Sequence, residues 1–243
     1  MKALLLAAGL GTRLKEYTQD KPKALVNLAG KPLLQQAIEH LKKQGITDIT
    51  INVFHFADQV ISFVEENNSL GIDIHISDER PQLLDTGGGL KKAGAFLKGD
   101  EPILIYNVDV ISNLDLNVLL EYHQEQKALA TLVVRSRETS RYLMFDQNLQ
   151  LSGWKNFSNG ETIISRPESF ADAQPLAFSG IHIVQPEILE LITEEGKLSI
   201  MDLYLRLAKD HSIKAFIDHS DLWMDLGKPE QLLAAEHLFS GKQ

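Results

Sequence analysis

Met1-Lys-Ala-Leu-Leu-Leu-Ala-Ala-Gly9-Leu-Gly11-Thr-Arg13 is the stretch from which the rest of the chain can be read. Ala3 to Ala8 is an unbroken small and aliphatic run, the pattern of a strand buried on both faces in a parallel sheet. Gly9 and Gly11 stand where that strand should end. Lacking a Cβ, they permit positive φ and let main-chain N–H groups turn toward a phosphate. Arg13 adds a planar fork of donors at the same place. The stretch reads as a loop for a nucleoside triphosphate. Leu14 stands where a dinucleotide fingerprint needs its third glycine, and Gly11-Thr12-Arg13 replaces the Gly-Lys-Ser/Thr ending of a P-loop.

Working outward, Pro32 suits a first helical position, and Leu33, Leu34, Ala37, Ile38 and Leu41 recur at helical spacing before Gly45. Strands are expected at 48–53 and 72–76 with an amphipathic helix at 58–66 between them. A polar loop, 78–86, ends in Gly87-Gly88-Gly89 and a helix over 90–97. Glycines at a helix start cost up to about 1 kcal/mol each, so close approach to this backbone is expected, and a flat base would fit there. A buried strand at 102–108 carries Asp109 at its carboxyl end, where open parallel sheets hold ligands. A helix at 115–126 and a strand at 128–134 continue the alternation that favours a parallel α/β sheet.

Beyond Arg141 the pattern shifts to β-like pieces at 142–145, 149–154 and 175–184, with a polar excursion over 156–172. Helices at 186–192 and 200–209, a strand at 213–217, Trp223-Met-Asp225-Leu-Gly227 and a helix at 229–239 complete the reading. One α/β domain is expected, with 1–135 mainly nucleotide-facing and 136–230 a β-rich, mainly substrate-facing part.

The 243 residues contain no cysteine, which excludes disulfides, thiolate metal sites and a thiol nucleophile. A net charge of −9 argues against a general nucleic-acid surface, which needs Lys and Arg against phosphates. The apolar start is too short for a signal peptide or a membrane span, so a soluble, cytoplasmic protein is expected. The eight histidines fall in no metal-ligand spacing. The sequence sets no oligomeric state.

Leu6-Ala-Ala-Gly-Leu-Gly-Thr-Arg13, Pro22-Lys23, Thr86-Gly-Gly88, Asn107-Val-Asp109, Phe178-Ser-Gly-Ile181 and Trp223-Met-Asp-Leu-Gly227 occur in the order found in the sugar-1-phosphate nucleotidyltransferases. The chain resembles that family over nearly its whole length, and within it the short members that lack a C-terminal β-helix. The resemblance implies a Rossmann-like three-layer, mostly parallel sheet of the nucleotidyltransferase type with a sugar-binding β-rich insertion. It implies Mg²⁺-dependent reaction of an NTP with a sugar 1-phosphate to give NDP-sugar and pyrophosphate. UTP with N-acetylmuramate 1-phosphate is the favoured pair and GTP with mannose 1-phosphate the alternative. From other classes, a nucleotide-sugar-dependent glycosyltransferase and an inactive nucleotide-binding module also fit aspartates beside a glycine loop.

By the same resemblance, Arg13 would hold the triphosphate and Lys23 would bridge the α-phosphate and the sugar phosphate. Asp109 and Asp225 would hold Mg²⁺. Ala8, Gly9, Gly11 and Thr12 would line the nucleotide, with Thr86 beside it, and Gln82 and Gly87 would meet the base edge. Lys155, Asn156, Ser179 and Gly180 would serve the sugar phosphate. Two departures stand out: Lys155 is offset by about one residue from the family's phosphate-gripping lysine, which leaves open whether Lys155 itself, Arg166 in the following loop, or no residue takes that role, and Leu143 replaces a glycine common in hexose-binding members.

Overall fold

In the computed structural model, which describes residues 1–240, the opening run forms strand β1 (Lys2–Leu6). A small hairpin, β2 (Asn27–Leu28) and β3 (Lys31–Pro32), is followed by helix α1 (Leu33–Lys43), β4 (Asp48–Val53), α2 (Ala57–Glu66), β5 (Asp73–Asp78) and α3 (Asp85–Leu97). Next come β6 (Ile103–Asn107), β7 (Val110–Ser112), α4 (Leu116–Gln126) and β8 (Ala130–Arg135). Then follow β9 (Arg141–Phe145), β10 (Leu151–Asn156), β11 (Thr162–Ile164), α5 (Pro167–Phe170), β12 (Gln174–Val184), α6 (Ile200–Leu207), β13 (Ile213–Ile217), β14 (Trp223–Asp225) and α7 (Pro229–Ser240).

Strand β1 lies between β6 and β4, both parallel to it, and β5 extends the parallel run beyond β4. Its composition follows from this place. Ala3 and Leu5 enter the core shared with α1, α2 and α4, while Leu4 enters the core shared with α3 and α6. A strand between two helical layers needs apolar side chains on both faces. The three-layer, Rossmann-like arrangement is therefore present, and β9 to β12 add antiparallel pairings to it.

Strand β12 joins the two parts of the sheet. Its Gln174–Leu176 segment pairs with β9, its Ile181–Val184 segment with β6, and β8 runs along its other edge. The change of neighbour falls at a bulge: Phe178 and His182 face Val134 and Leu132, so β12 carries extra residues over the same span. Gly180 sits in this bulge at φ +78°, where a Cβ would lie 2.8 Å from Asn107 Nδ2. Only glycine meets both demands.

A third core cluster joins Leu226, Leu232 and Ala235, from the start of α7 and the residues before it, to Leu14, Val26 and Leu28. It fixes the segment after the glycine loop against the chain's last strand. Among the described residues no helix is long and apolar enough to cross a membrane.

The structure corrects the expected helix at 90–97, because α3 begins at Asp85 and takes all three glycines into its first turns. What approaches them is the chain's own backbone. A Cβ at Gly88 would lie 2.4 Å from the Gly196 carbonyl oxygen, and one at Gly87 would lie 3.1 Å from that of Leu198. Gly88→Ala is expected to cost about 1–3 kcal/mol by overpacking, outweighing the gain of up to about 1 kcal/mol in helix propensity. Urea denaturation reads this, and a variant as stable as the parent would refute it. The helix expected at 186–192 is instead a short 3₁₀ helix, Pro186–Leu189. Its bonds run from Ile188 N–H to Gln185 O and from Glu190 N–H to Glu187 O, a tight turn that sets Leu189 against Gly94 of α3.

Candidate active site

A cavity of about 390 Å³ opens at the carboxyl ends of β1 and β6. Its walls include Ala8, Gly9, Gly11, Thr12 and Arg13, which follow β1, and Asn107 to Asp109, at the end of β6. Gly11 adopts φ +66°, as the sequence suggested, and a Cβ there would lie 2.9 Å from Thr18 Cγ2. Gly9 does not take positive φ, and nothing lies within 4 Å of where its Cβ would be. Its role is to leave space.

A buried polar chain supports this loop from below. Asn52 Oδ1 accepts from Ala7 N–H at 2.7 Å and Ala8 N–H at 3.3 Å, and Asn52 Nδ2 donates to Glu79 Oε1 at 2.7 Å. The other Glu79 oxygen accepts from Leu84 N–H at 2.9 Å. Burial pushes the Glu79 carboxyl up, while the Leu84 and Asn52 hydrogen bonds oppose it. Gly89 is small for a reason found here: a Cβ would lie 2.7 Å from Glu79 Oε1 and 2.9 Å from Asn52 Nδ2.

Lys23, at the start of a short 3₁₀ helix, is buried and its ammonium contacts Asp109 Oδ2 directly. Burial pulls this lysine down to about 8; the Asp225 charge opposes the shift and the Arg13 charge adds to it. It remains mostly an ammonium at neutral pH. Asp225 arrives through strand pairing. Strand β14 runs antiparallel to β7 with Asp225 opposite Val110, and Leu226 N–H donates to Asp109 O at 2.9 Å. Gly227 leaves room for both neighbours: a Cβ there would lie 2.6 Å from Arg13 Nη2 and 2.8 Å from Asp225 Oδ1. The fold thus gathers Arg13, Lys23, Asp109 and Asp225 at one sheet edge from segments far apart in sequence.

The other expected residues divide. Thr86 lines the cavity, and its hydroxyl accepts from Ile200 N–H at 2.9 Å, tying α6 to the wall. Gln82 is exposed and outside the cavity lining. Gly87 is buried, and its N–H is donated to Leu198 O at 2.8 Å, so it has no free donor for a base. Lys155 lies over the Phe157 ring, 4.9 Å from its centroid. Asn156 is buried with its Oδ1 accepting from Ser158 N–H and Oγ–H. Ser179 and Gly180 lie in the β12 bulge, where Ser179 O accepts from Trp223 Nε1–H at 2.9 Å. Arg166 is spent on the Ala208 and His211 carbonyls, which removes it as a substitute for the offset lysine.

The sequence reading missed Asn52, Glu79, Asp85 and Lys197 in this cavity. It also missed Arg137, which lines a second cavity of about 460 Å³ with Leu143, Trp154, Phe178 and Met201. Arg137 follows the carboxyl end of β8, a position that could have drawn attention to it.

The Nucleotidyl transferase family profile matches residues 2–240. N-acetylmuramate alpha-1-phosphate uridylyltransferase of Caulobacter vibrioides is 34% identical, over 96% of this chain and 95% of that protein. Mannose-1-phosphate guanyltransferase 2 of Candida glabrata is 30% identical over 98% of this chain, which spans 64% of that longer protein. Among solved structures, a UDP-glucose pyrophosphorylase complexed with UDP-glucose superposes with a TM-score of 0.78 at 21% identity, covering 100% of this chain and 99% of the other. HddC from Yersinia pseudotuberculosis complexed with GMP-PN gives 0.77 at 24% identity, covering 98% and 99%.

Proposed function

The chain belongs to the nucleotidyl transferase family and is a sugar-1-phosphate nucleotidyltransferase, and from that premise we propose that it joins UTP to N-acetylmuramate 1-phosphate in the cavity at the β1 and β6 ends, with Mg²⁺. The observation that carries this reading is the gathering of Arg13, Lys23 and Asp109 around one cavity beside Asp225. The uridylyltransferase relative supports the substrate pair, since it and this chain match along almost their full lengths, whereas the guanyltransferase relative is considerably longer.

The chemistry needs no protein base. A sugar phosphate has a second pKa of about 6, so it reaches the site largely as a dianion. One of its oxygens bonds to the α-phosphorus of UTP. The bond to the β-phosphate oxygen breaks, and pyrophosphate leaves with that electron pair. The obstacle is bringing anions together, which calls for cations and in-line placement. Main-chain N–H groups of the glycine loop hold the triphosphate and Arg13 steadies the leaving pyrophosphate. In this reading Lys23 bridges the α-phosphate and the incoming phosphate.

Asp109 and Asp225 fit a divalent cation by their chemistry. Both are hard oxygen donors, their backbones are joined by the Leu226 N–H to Asp109 O bond, and Asp109 already accepts a cationic partner in Lys23. Among the described residues no third His, Asp or Glu converges on them. Bound there, Mg²⁺ supplies positive charge to the phosphate oxygens.

Incubation of the purified protein with each NTP and a panel of sugar 1-phosphates, followed by pyrophosphate release, tests the pair. UTP with N-acetylmuramate 1-phosphate is expected to give the highest kcat/KM, by about 10-fold or more. Turnover of GTP with mannose 1-phosphate but not of UTP would reverse the assignment.

A further inference from the structure

We propose that Arg137 holds the phosphate of the incoming sugar 1-phosphate; the assignment rests on the reaction read above. Arg137 is half-buried, and its guanidinium lies 4.8 Å from the centre of the Trp223 ring. Among the described residues its one hydrogen bond runs from Nη2 to Phe178 O at 3.0 Å, and no carboxylate lies within ion-pair distance. Its Nε is buried and without a partner. A cation placed like this in a protein of net charge −9 is unusual, because buried charges are normally paired. Burial pulls the guanidinium down, and the nearby Asp225 charge opposes this. An arriving anion would complete the site.

Four of the other cations nearby are already used. Arg135 pairs with Asp218 and also donates to Ser220. Arg166 is bound to main-chain carbonyls, Lys155 rests on Phe157, and Lys23 contacts Asp109. Arg141 and Lys197 are exposed. Arg137 is the half-buried arginine that keeps donors beyond its single bond to Phe178 O.

Its position suits the transfer. Trp223 and Asp225 alternate on β14 and so face the same side of that strand. Stacked on Trp223, Arg137 stands on the Asp225 side, and Asp225 in turn influences Lys23. Arg137 also lines the second cavity, whose Leu143, Trp154, Phe178 and Met201 offer apolar surface to a sugar and its substituents. A sugar in that cavity would reach the transfer site with its phosphate at the guanidinium. The planar fork matches two phosphate oxygens and leaves a third to form the new bond to the α-phosphorus as pyrophosphate departs. Arg137 neither gives nor takes a proton.

Kinetics of the wild type, Arg137→Ala, Arg137→Gln and Arg137→Lys test the assignment, each substrate being varied with the other saturating. In Arg137→Ala the KM for sugar 1-phosphate should rise about 10- to 100-fold, the value of a charged hydrogen-bonding pair, with the KM for UTP unchanged within about twofold. Arg137→Lys should fall between, and added guanidinium ion should recover part of the loss in Arg137→Ala. If Arg137→Ala does not fold, Arg137→Gln and Arg137→Lys carry the comparison. Unchanged KM for sugar 1-phosphate, or equal rises for both substrates, would overturn the proposal. N-acetylglucosamine 1-phosphate, which has no carboxylate, is run beside N-acetylmuramate 1-phosphate. A loss confined to the acidic sugar would mean that Arg137 holds the carboxylate, and would also overturn it. If the wild type releases no pyrophosphate with any sugar 1-phosphate, the reaction is misread. Arg137 is then judged separately by titrating inorganic phosphate against the emission of Trp223 in a Trp154→Phe background. Phosphate-dependent emission that Arg137→Gln abolishes supports the anion site; no response in the parent sinks it.

Discussion

Asp109→Asn is expected to lower kcat about 10²- to 10³-fold while the KM for UTP moves by less than about threefold. The substitution keeps size and shape but removes the charge that contacts the Lys23 ammonium and that would hold Mg²⁺ with Asp225. Under the proposed function the ground-state hold on the triphosphate would rest elsewhere, on the glycine loop and Arg13, which line the same cavity. Lys23 would lose its ion-pair partner where burial already disfavours its charge, so its electrostatic help should weaken as well. Steady-state pyrophosphate release at saturating Mg²⁺, with thermal melting as a control for folding, checks this. A variant turning over within about threefold of the parent would remove Asp109 from the reaction.

Acid instability is the second large effect, and it has a source remote from the cavity. His123 and His182 are both fully buried. His123 Nδ1 lies 2.8 Å from Thr131 Oγ1 and its Nε2 lies 3.0 Å from the Gln185 side-chain nitrogen, which can only donate. With the Gln185 amide in this orientation the ring carries its proton on Nδ1, and a second proton would set donor against donor. His182 is stacked on Phe178 at 5.2 Å and meets Tyr204 edge-on at 5.5 Å, with no polar partner for either ring nitrogen among the described residues. Burial pulls His123 down to about 4 and His182 down to about 3. Above about pH 7 both histidines are neutral in the folded and the unfolded chain and contribute no pH dependence. Below about 6.5 the unfolded chain takes up protons that the folded chain refuses, so stability falls as pH falls. Each histidine should contribute about 1.4 kcal/mol per pH unit between pH 6 and pH 4. Urea unfolding across that range should show the combined slope, and His182→Phe, which keeps the aromatic packing, should remove about half of it. A flat profile in the parent would show that the histidines protonate without unfolding the chain.

The sequence disclosed most where a local pattern has a local cause. The aliphatic run of β1 had to be two-sided because helices cover both faces of its sheet, and Gly11 was legible because a phosphate loop needs positive φ. Asp109 could be found from its place after a strand and Asp225 from the Trp223–Gly227 motif, although the contact between their segments is made by pairing of β7 with β14. The triple glycine was legible as a site of close approach but not as to what approaches. Residues 196–198 fill that space, and their sequence carries no sign of it. Asn52 and Glu79 escaped notice for a similar reason. Each looks ordinary on its own strand or loop, and only parallel pairing of β1, β4 and β5 brings them beneath the glycine loop. Arg137 and Arg166 show the limit most clearly. Residue type nominated Arg166, whereas hydrogen bonding to main-chain carbonyls occupies it and leaves Arg137 free.

Strand β12 is a shared beam. It is hydrogen-bonded to β6 of the parallel sheet through Ile181–Val184 and to β9 through Gln174–Leu176, and its Phe178 carbonyl anchors Arg137. Phe178 of β12 lines the Arg137 cavity, and β12 pairs with β6, whose carboxyl end lines the other. A shift of β12 that widens the Arg137 cavity must be felt by β6, so under the proposed reaction retuning for a bulkier sugar by substitutions along this strand would carry a cost in how the nucleotide is seated.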